Sequence, residues 1–372
     1  MPFRILTALL LVSHLASGQK PRARDFGIEI GILPTGEYNS LTDVKGTLVG
    51  HITLIEGTDI RTGVTAILPH NANIYQEKVP AAIYLGNGYG KLMGYSQVEE
   101  LGNLESPIIL TNTLSVPTAA NAIIEYSLNQ PGNENVRSIN PLVGETNDGY
   151  LNDIRGLHIQ ESHVLKAIDI SSDGPVEEGN VGAGTGTICF GFKGGIGSAS
   201  RKLPPELGGY TIGVLVQTNF GGVLTIDGIP IDKELDRYRY RDILEKKSDG
   251  SCMIVVATDA PIDARNLKRV AKRAFLGLGR TGGIASNGSG DYIIAFSTNE
   301  KLRIKADQSQ AHQVTVLKNQ AMTPIFLATI EATEEAIINS LLAASSMTGF
   351  QGRRVEELPK DQLKTLLERY KR

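Results

Sequence analysis

The chain has 372 residues, no tryptophan, two cysteines and six scattered histidines. Two cysteines allow one disulfide at most, which excludes a small disulfide-stapled scaffold. Both Cys189 and Cys252 sit in apolar runs and read as buried free thiols. No Cys/His spacing matches a zinc site, and no metal or organic cofactor is called for. The net charge is only −3. No basic stretch points to nucleic acid, and no acidic tail points to a disordered partner arm. No apolar run is long enough to span a bilayer. Internal repeats and low-complexity linkers are also absent.

What the chain has in quantity is glycine, 41 residues, with 41% hydrophobic and 21% charged residues. That balance describes a globular protein with a sizeable core. The glycines favour tight turns and close backbone approach. The first residues read as a signal peptide over 1–18. Arg4 supplies the positive region, Ile5 to Val12 the short apolar region, and Ala16-Ser17-Gly18 the small residues for cleavage. The mature chain, residues 19–372, is expected to be a single domain in a periplasm or outside the cell.

Apolar alternation predicts strands at 47–54, 63–68, 81–85 and 210–218, then at Met253–Ala257 and Tyr292–Phe296. Helical spacing predicts helices at 118–128, 161–169, 263–278 (with Asp263 as N-cap) and 324–347. Residues 178–200 are dense in glycine, and 232–249 are dense in charge and read as exposed. Mixed strands and helices indicate one α+β domain with sheets at its centre.

Three places could carry chemistry. Gly250-Ser251 ends the charged stretch and opens an apolar strand. If the chain breaks there, Ser251 holds a hydroxyl nucleophile and a free α-amine base together. Asn219 ends a strand ahead of Gly221-Gly222, where its amide could serve an oxyanion. Ser289 and Asp291, two apart, share one face of an extended segment. Each place also reads as an ordinary turn when taken alone. Gly182-Ala183-Gly184-Thr185-Gly186 suggests a phosphate loop. The dinucleotide fingerprint lacks its acidic partner, however, and no Gly-Lys-Ser/Thr follows, which disfavours a nucleotide module.

In combination these stretches are specific. The chain resembles the DmpA/BapA-type aminopeptidases, the L-aminopeptidase/D-Ala-esterase/amidase and β-peptidyl aminopeptidase group. The matching segments, in family order, are Gly46–Gly50 with Arg61–Thr65, Gly144-Glu145-Thr146 with Asp148-Gly149 and Leu151–Asp153, and Gly179–Gly186. Val216–Gly222, Gly250-Ser251 with Val255–Pro261, and Ser286–Asp291 complete the set. The resemblance implies a four-layer α/β/β/α sandwich of the self-processing, N-terminal-nucleophile-like DOM-fold type. It implies cleavage at Gly250-Ser251 into an α chain, about 19–250, and a β chain, 251–372. Ser251 corresponds to the nucleophile, Asn219 to the oxyanion amide, and Ser289 to the hydroxyl that contacts the nucleophile. Asp291 corresponds to an acidic residue that is Glu in some relatives. Glu145 corresponds to the carboxylate that receives the substrate amine. Some relatives carry a Tyr where this chain has Asn147; Tyr150 lies close by, but its spacing is wrong for a direct match. Implied substrates are small peptides or amino-acid amides and esters, and the implied assembly is a homo-oligomer of αβ units. Two competing expectations are an ornithine-acetyltransferase-like acyl transferase, which would use Thr as nucleophile, and a processed but inactive binding protein.

Overall fold

The computed structural model describes residues 20–237, 250–306, 311 and 313–370. The expected signal peptide lies outside the described residues, as does 238–249 of the charged stretch.

Alternating apolar residues build two sheets. Strands β1 (Leu48–Glu56) and β2 (Ile60–Leu68) form a hairpin with Leu48 opposite Leu68. They join β4 (Ile108–Asn112) and β5 (Leu142–Thr146) in the order β1-β2-β4-β5, ended by the short strand Leu92–Met93. The second sheet contains β3 (Glu77–Gly88), β6 (Ile196–Lys202), β7 (Thr211–Asn219), β8 (Ser251–Thr258) and β9 (Gly290–Ser297). Its order is β6-β7-β8-β9-β3, with Ile304–Lys305 at the far edge. Only β8 and β9 run parallel along this path.

The two-residue period of the strands sorts side chains into three apolar layers. Met253, Val255 and Ala257 of β8 meet Ile67, Ile108, Leu110 and Leu142 between the sheets. Cys252, Ile254 and Val256 point the other way, into a core shared with α3 (Ala264–Arg280), α4 (Thr323–Leu342) and α5 (Lys360–Tyr370). On the outside of the first sheet, Val64, Ala66, Ile109 and Val143 meet Ala119 and Ile123 of α1 (Val116–Leu128) and Val164 and Ile168 of α2 (Glu161–Asp169). The result is the α/β/β/α sandwich. Each fully buried large side chain contributes about 1.5–3 kcal/mol.

Helix α2 has the bounds expected from sequence, and the Asp263 carboxylate caps α3 by accepting the Asn266 N–H at 2.9 Å. Helix α4 stops at Leu342, short of Met347. The Asn180 amide takes both backbone groups of Ser345, donating to its carbonyl and accepting its N–H. That competes with further helical bonding. The charged stretch departs from expectation at its start. Ile231–Glu234 is a helical turn with Ile231 and Asp232 buried, and the Asp232 carboxylate accepts the Leu224 N–H at 2.7 Å. Cys189 and Cys252 are buried and free. Among the described residues no helix is long and apolar enough to cross a membrane.

Strand β6 emerges from the glycine-dense stretch and lies directly under α4. A Cβ on Gly197 would sit 2.0 Å from the Ala336 carbonyl oxygen and 2.8 Å from the Ser340 Cβ. Arg201, fully buried, clamps the same contact by donating to Glu331 at 3.2 Å and Glu335 at 2.7 Å. Gly197→Ala is therefore expected to force sheet and helix apart and to lower stability by about 1–3 kcal/mol or more. Denaturant unfolding with an unchanged midpoint would show that the close approach is not required.

Candidate active site

Three strand ends meet at one level of the second sheet. In register, Asn219 at the end of β7 lies opposite Ser251 at the start of β8, and Ser251 lies opposite Gly290 at the start of β9. Ser251 is joined to Gly250 and buried. Its hydroxyl donates to the Gly250 carbonyl oxygen at 2.6 Å. The Gly290 N–H reaches both groups, at 3.1 Å from the Gly250 oxygen and 3.3 Å from Ser251 Oγ. Glycine is needed here, because a Cβ on residue 290 would meet the Tyr89 carbonyl oxygen at 2.4 Å.

The Asn219 amide is held at both ends. Its Oδ1 accepts the Ile188 N–H at 3.0 Å, and its Nδ2 donates to the Asn147 carbonyl oxygen at 3.0 Å. Glu145 is next to the last residue of β5 on the opposite sheet and is buried. One carboxylate oxygen accepts the Lys91 N–H at 3.0 Å, and the other accepts the Thr113 hydroxyl. Gln217 ties the two sheets together beneath the site. Its Nε2 lies 3.1 Å from the Thr111 carbonyl oxygen, 2.9 Å from Thr146 Oγ1 and 2.9 Å from the Ala183 carbonyl oxygen.

Ser289 donates to Asp291 Oδ1 at 2.8 Å, so the two side chains do share a face. That face is the one carrying Cys252, which pairs with Asp291 across the parallel ladder. In the uncut chain the group touching Ser251 Oγ is thus the Gly290 amide. Burial pushes the Asp291 pKa up to about 6, against the pull of hydrogen bonds from Ser289 and the Cys252 backbone. Its Oδ2 is buried without a hydrogen-bond partner.

Ser251, Asn219, Glu145 and Asn147 line one cavity of about 930 Å³, and Ser289 and Asp291 stand behind its wall. That volume suits a small ligand such as a short peptide. The Asn147 side chain turns away into its own loop, accepting the Gly149 N–H at 2.9 Å. Tyr150 takes a place in the wall, with the Arg353 guanidinium 5.2 Å from its ring centre. Thr113, Lys91, Ile188 and the rim residues Tyr89, Arg354 and Glu356 also line it. None of these carried a sequence signal, because they come from four separate segments of the chain, at 89–91, 113, 188 and 354–356.

Comparison with known proteins identifies the family. The family description "Peptidase family S58" matches residues 39–355. The β-peptidyl aminopeptidase BapA of Sphingosinicella microcystinivorans is 39% identical, with 100% of this chain and 98% of the relative covered. The solved PH0078 protein of Pyrococcus horikoshii OT3 is 48% identical with a TM-score of 0.87, covering 95% of this chain and 100% of that one. The L-aminopeptidase D-Ala-esterase/amidase of Ochrobactrum anthropi is 37% identical with a TM-score of 0.87, covering 95% and 99%. That protein is described as a prototype for the serine aminopeptidases and a new variant among the Ntn hydrolase fold. The chain belongs to peptidase family S58, the DmpA/BapA-type aminopeptidases.

Proposed function

We propose that this aminopeptidase matures by cutting itself at Gly250-Ser251 and then hydrolyses short peptides, amides or esters from their free amino end through an acyl-enzyme on Ser251. The observation that carries the reading is the convergence of the Ser251 hydroxyl and the Gly290 N–H on the Gly250 carbonyl. The hydroxyl oxygen adds to that carbonyl carbon while the Gly290 amide holds the developing oxyanion. The Gly250–Ser251 C–N bond then breaks, the nitrogen takes the proton, and an ester joins Gly250 to Ser251 Oγ. Water hydrolyses the ester, leaving a Gly250 carboxylate and a Ser251 that bears both hydroxyl and α-amine.

In turnover the hydroxyl adds to the substrate carbonyl and its proton passes to the Ser251 amine. The amine hands that proton to the leaving nitrogen, and water then releases the acyl group as a carboxylic acid. An unperturbed α-amine has a pKa near ~8, so modest burial suits it to work as a base at neutral pH. Asn219 supplies an oxyanion donor from the cavity wall. Glu145 offers the buried negative charge that a substrate ammonium requires. The partnerless oxygen of Asp291 lies one ladder position from the nitrogen that becomes the amine, so it can accept the new positive charge.

The wild-type protein is expected to purify as two chains, one beginning at Ser251, and to hydrolyse free-amine peptide amides but not their N-acetylated forms. Ser251→Ala should stay uncut and inactive. Intact-mass analysis showing two normal chains in that variant would refute the assignment. Two wild-type chains with no turnover on an amide panel would instead indicate a processed binding protein.

Asn219 Nδ2 bonds Asn147 and not the scissile carbonyl, whose donor is Gly290. Asn219→Ala should therefore mature normally yet lose about 10²-fold or more in kcat. A near-normal kcat would remove Asn219 from the oxyanion role.

Asp291 is ionised above its pKa of about 6 and neutral below it. Only the ionised form can stabilise the ammonium released by the shift. Self-cleavage of freshly synthesised precursor is expected to slow as pH falls through about 6, and Asp291→Asn should be slow throughout. Equal rates at pH values on either side would rule out this use of Asp291.

A further inference from the structure

The glycine-dense stretch that resembles a phosphate loop encloses a cation instead. Lys193 follows Gly191-Phe192 and precedes Gly194-Gly195, and its side chain is fully buried. Lysine is almost never fully buried unless its charge is paired. Here Lys193 Nζ donates to three carbonyl oxygens, those of Gly184 at 3.1 Å, Thr187 at 2.9 Å and Gly194 at 2.7 Å. These bonds use all three N–H groups of an ammonium, and a neutral amine has only two to give. Burial, and then the charge of Lys20, pull its pKa down to about 7, while Cys189 and Asp148 pull the other way. A desolvated ammonium whose hydrogen bonds all go to neutral carbonyls opposes stability. An apolar side chain of the same length would serve packing better.

One of its acceptors leads to the catalytic wall. The Thr187 carbonyl and the Ile188 N–H belong to one peptide unit, whose carbonyl faces Lys193 and whose N–H donates to Asn219 Oδ1. Ile188 also pairs directly with Lys193 in a two-residue hairpin. The ammonium polarises this peptide and opposes its rotation. The Ile188 N–H can be satisfied only by an oxygen, so it dictates which end of the Asn219 amide faces Asn147 and the cavity. Were the peptide to turn over, the amide could rotate and present its oxygen to a developing oxyanion.

We propose that Lys193 is a positioning residue that holds the Thr187–Ile188 peptide and thereby keeps the Asn219 amide turned with its N–H groups toward the reacting carbonyl. This rests on the oxyanion role of Asn219 given above. It also assigns a use to the glycine-rich segment. Glycines 184 and 194 bring their carbonyls into a space where a Cβ on Gly184 would lie 2.4 Å from the Ile196 nitrogen, and one on Gly194 2.9 Å from the Thr218 carbonyl oxygen.

The test is a double-mutant cycle on the mature, active-site-titrated enzyme with a free-amine peptide amide as substrate. Lys193→Met is expected to lower kcat about 10-fold, less than deletion of the oxyanion donor itself, with KM nearly unchanged. In an Asn219→Ala background the same change should lower kcat less than about 2-fold, because Lys193 acts through Asn219. If Lys193→Met yields no processed protein, Lys193→Gln, which keeps N–H donors but no charge, is read in the same two backgrounds. Equal fractional losses in both backgrounds, or no loss in either, would overturn the Lys193 role while leaving the function reading intact. A near-normal kcat for Asn219→Ala alone would remove the oxyanion role of Asn219 and the Lys193 role with it, leaving the Ser251 reading to its own test.

Discussion

The registration of three neighbouring strands governs this protein. Asn219, Ser251 and Gly290 stand side by side because β7 ends where the parallel pair β8 and β9 begins. Strand side chains alternate, so a slip of one residue would exchange the faces of a whole strand. Such a slip in β8 would move Met253, Val255 and Ala257 out of the inter-sheet core, and would set Cys252 where Ser251 now stands. The register is thus enforced by burial on both faces of β8. The chemistry at its first residue inherits that precision at no further cost in local structure.

Burial then sets the electrostatics. Glu145 and Asp291 are carboxylates at the foot of the same sandwich, yet they are satisfied differently. Glu145 is met by the Lys91 N–H and the Thr113 hydroxyl and faces the cavity. Asp291 keeps one oxygen without a partner behind the wall, and burial raises its pKa. Lys193 is the cationic counterpart, hydrogen-bonded to three peptide carbonyls and not to a carboxylate. An incompletely satisfied charge in a dry interior opposes folding, and such groups concentrate where a reaction needs them.

Close backbone packing makes these arrangements reachable. Gly290 lets the Tyr89 loop approach the scissile bond, and Gly197 lets α4 rest on β6. Gln217 bridges the sheets directly below the cavity. The cavity is therefore walled by both sheets as well as by loops, which is why its lining is scattered through the chain.

Much was legible from residue order alone. Local patterns marked β7, β8, β9, the capped start of α3 and the full span of α2, since alternation, capping and helical spacing are short-range signals. The motif set around Gly250-Ser251 also identified the family and the sandwich. Strands β4, β5 and β6 escaped notice; Gly144 interrupts the pattern of β5 and Gly197 that of β6, both for the sake of contacts made elsewhere. The glycine-dense stretch suggested an anion loop, whereas its carbonyls converge on a lysine. Glu145 is singled out only by the resemblance, and it is buried next to the end of β5. Sequence by itself determined which residues could carry the chemistry and which faces had to be buried. Only the tertiary structure decided that the Gly290 amide, and not the Ser289 hydroxyl, touches Ser251 in the uncut chain, and that Lys193 stands behind Asn219. Those facts depend on packing between segments far apart in the chain, where hydrogen-bond partners are chosen by proximity in space and leave no periodic trace in the sequence.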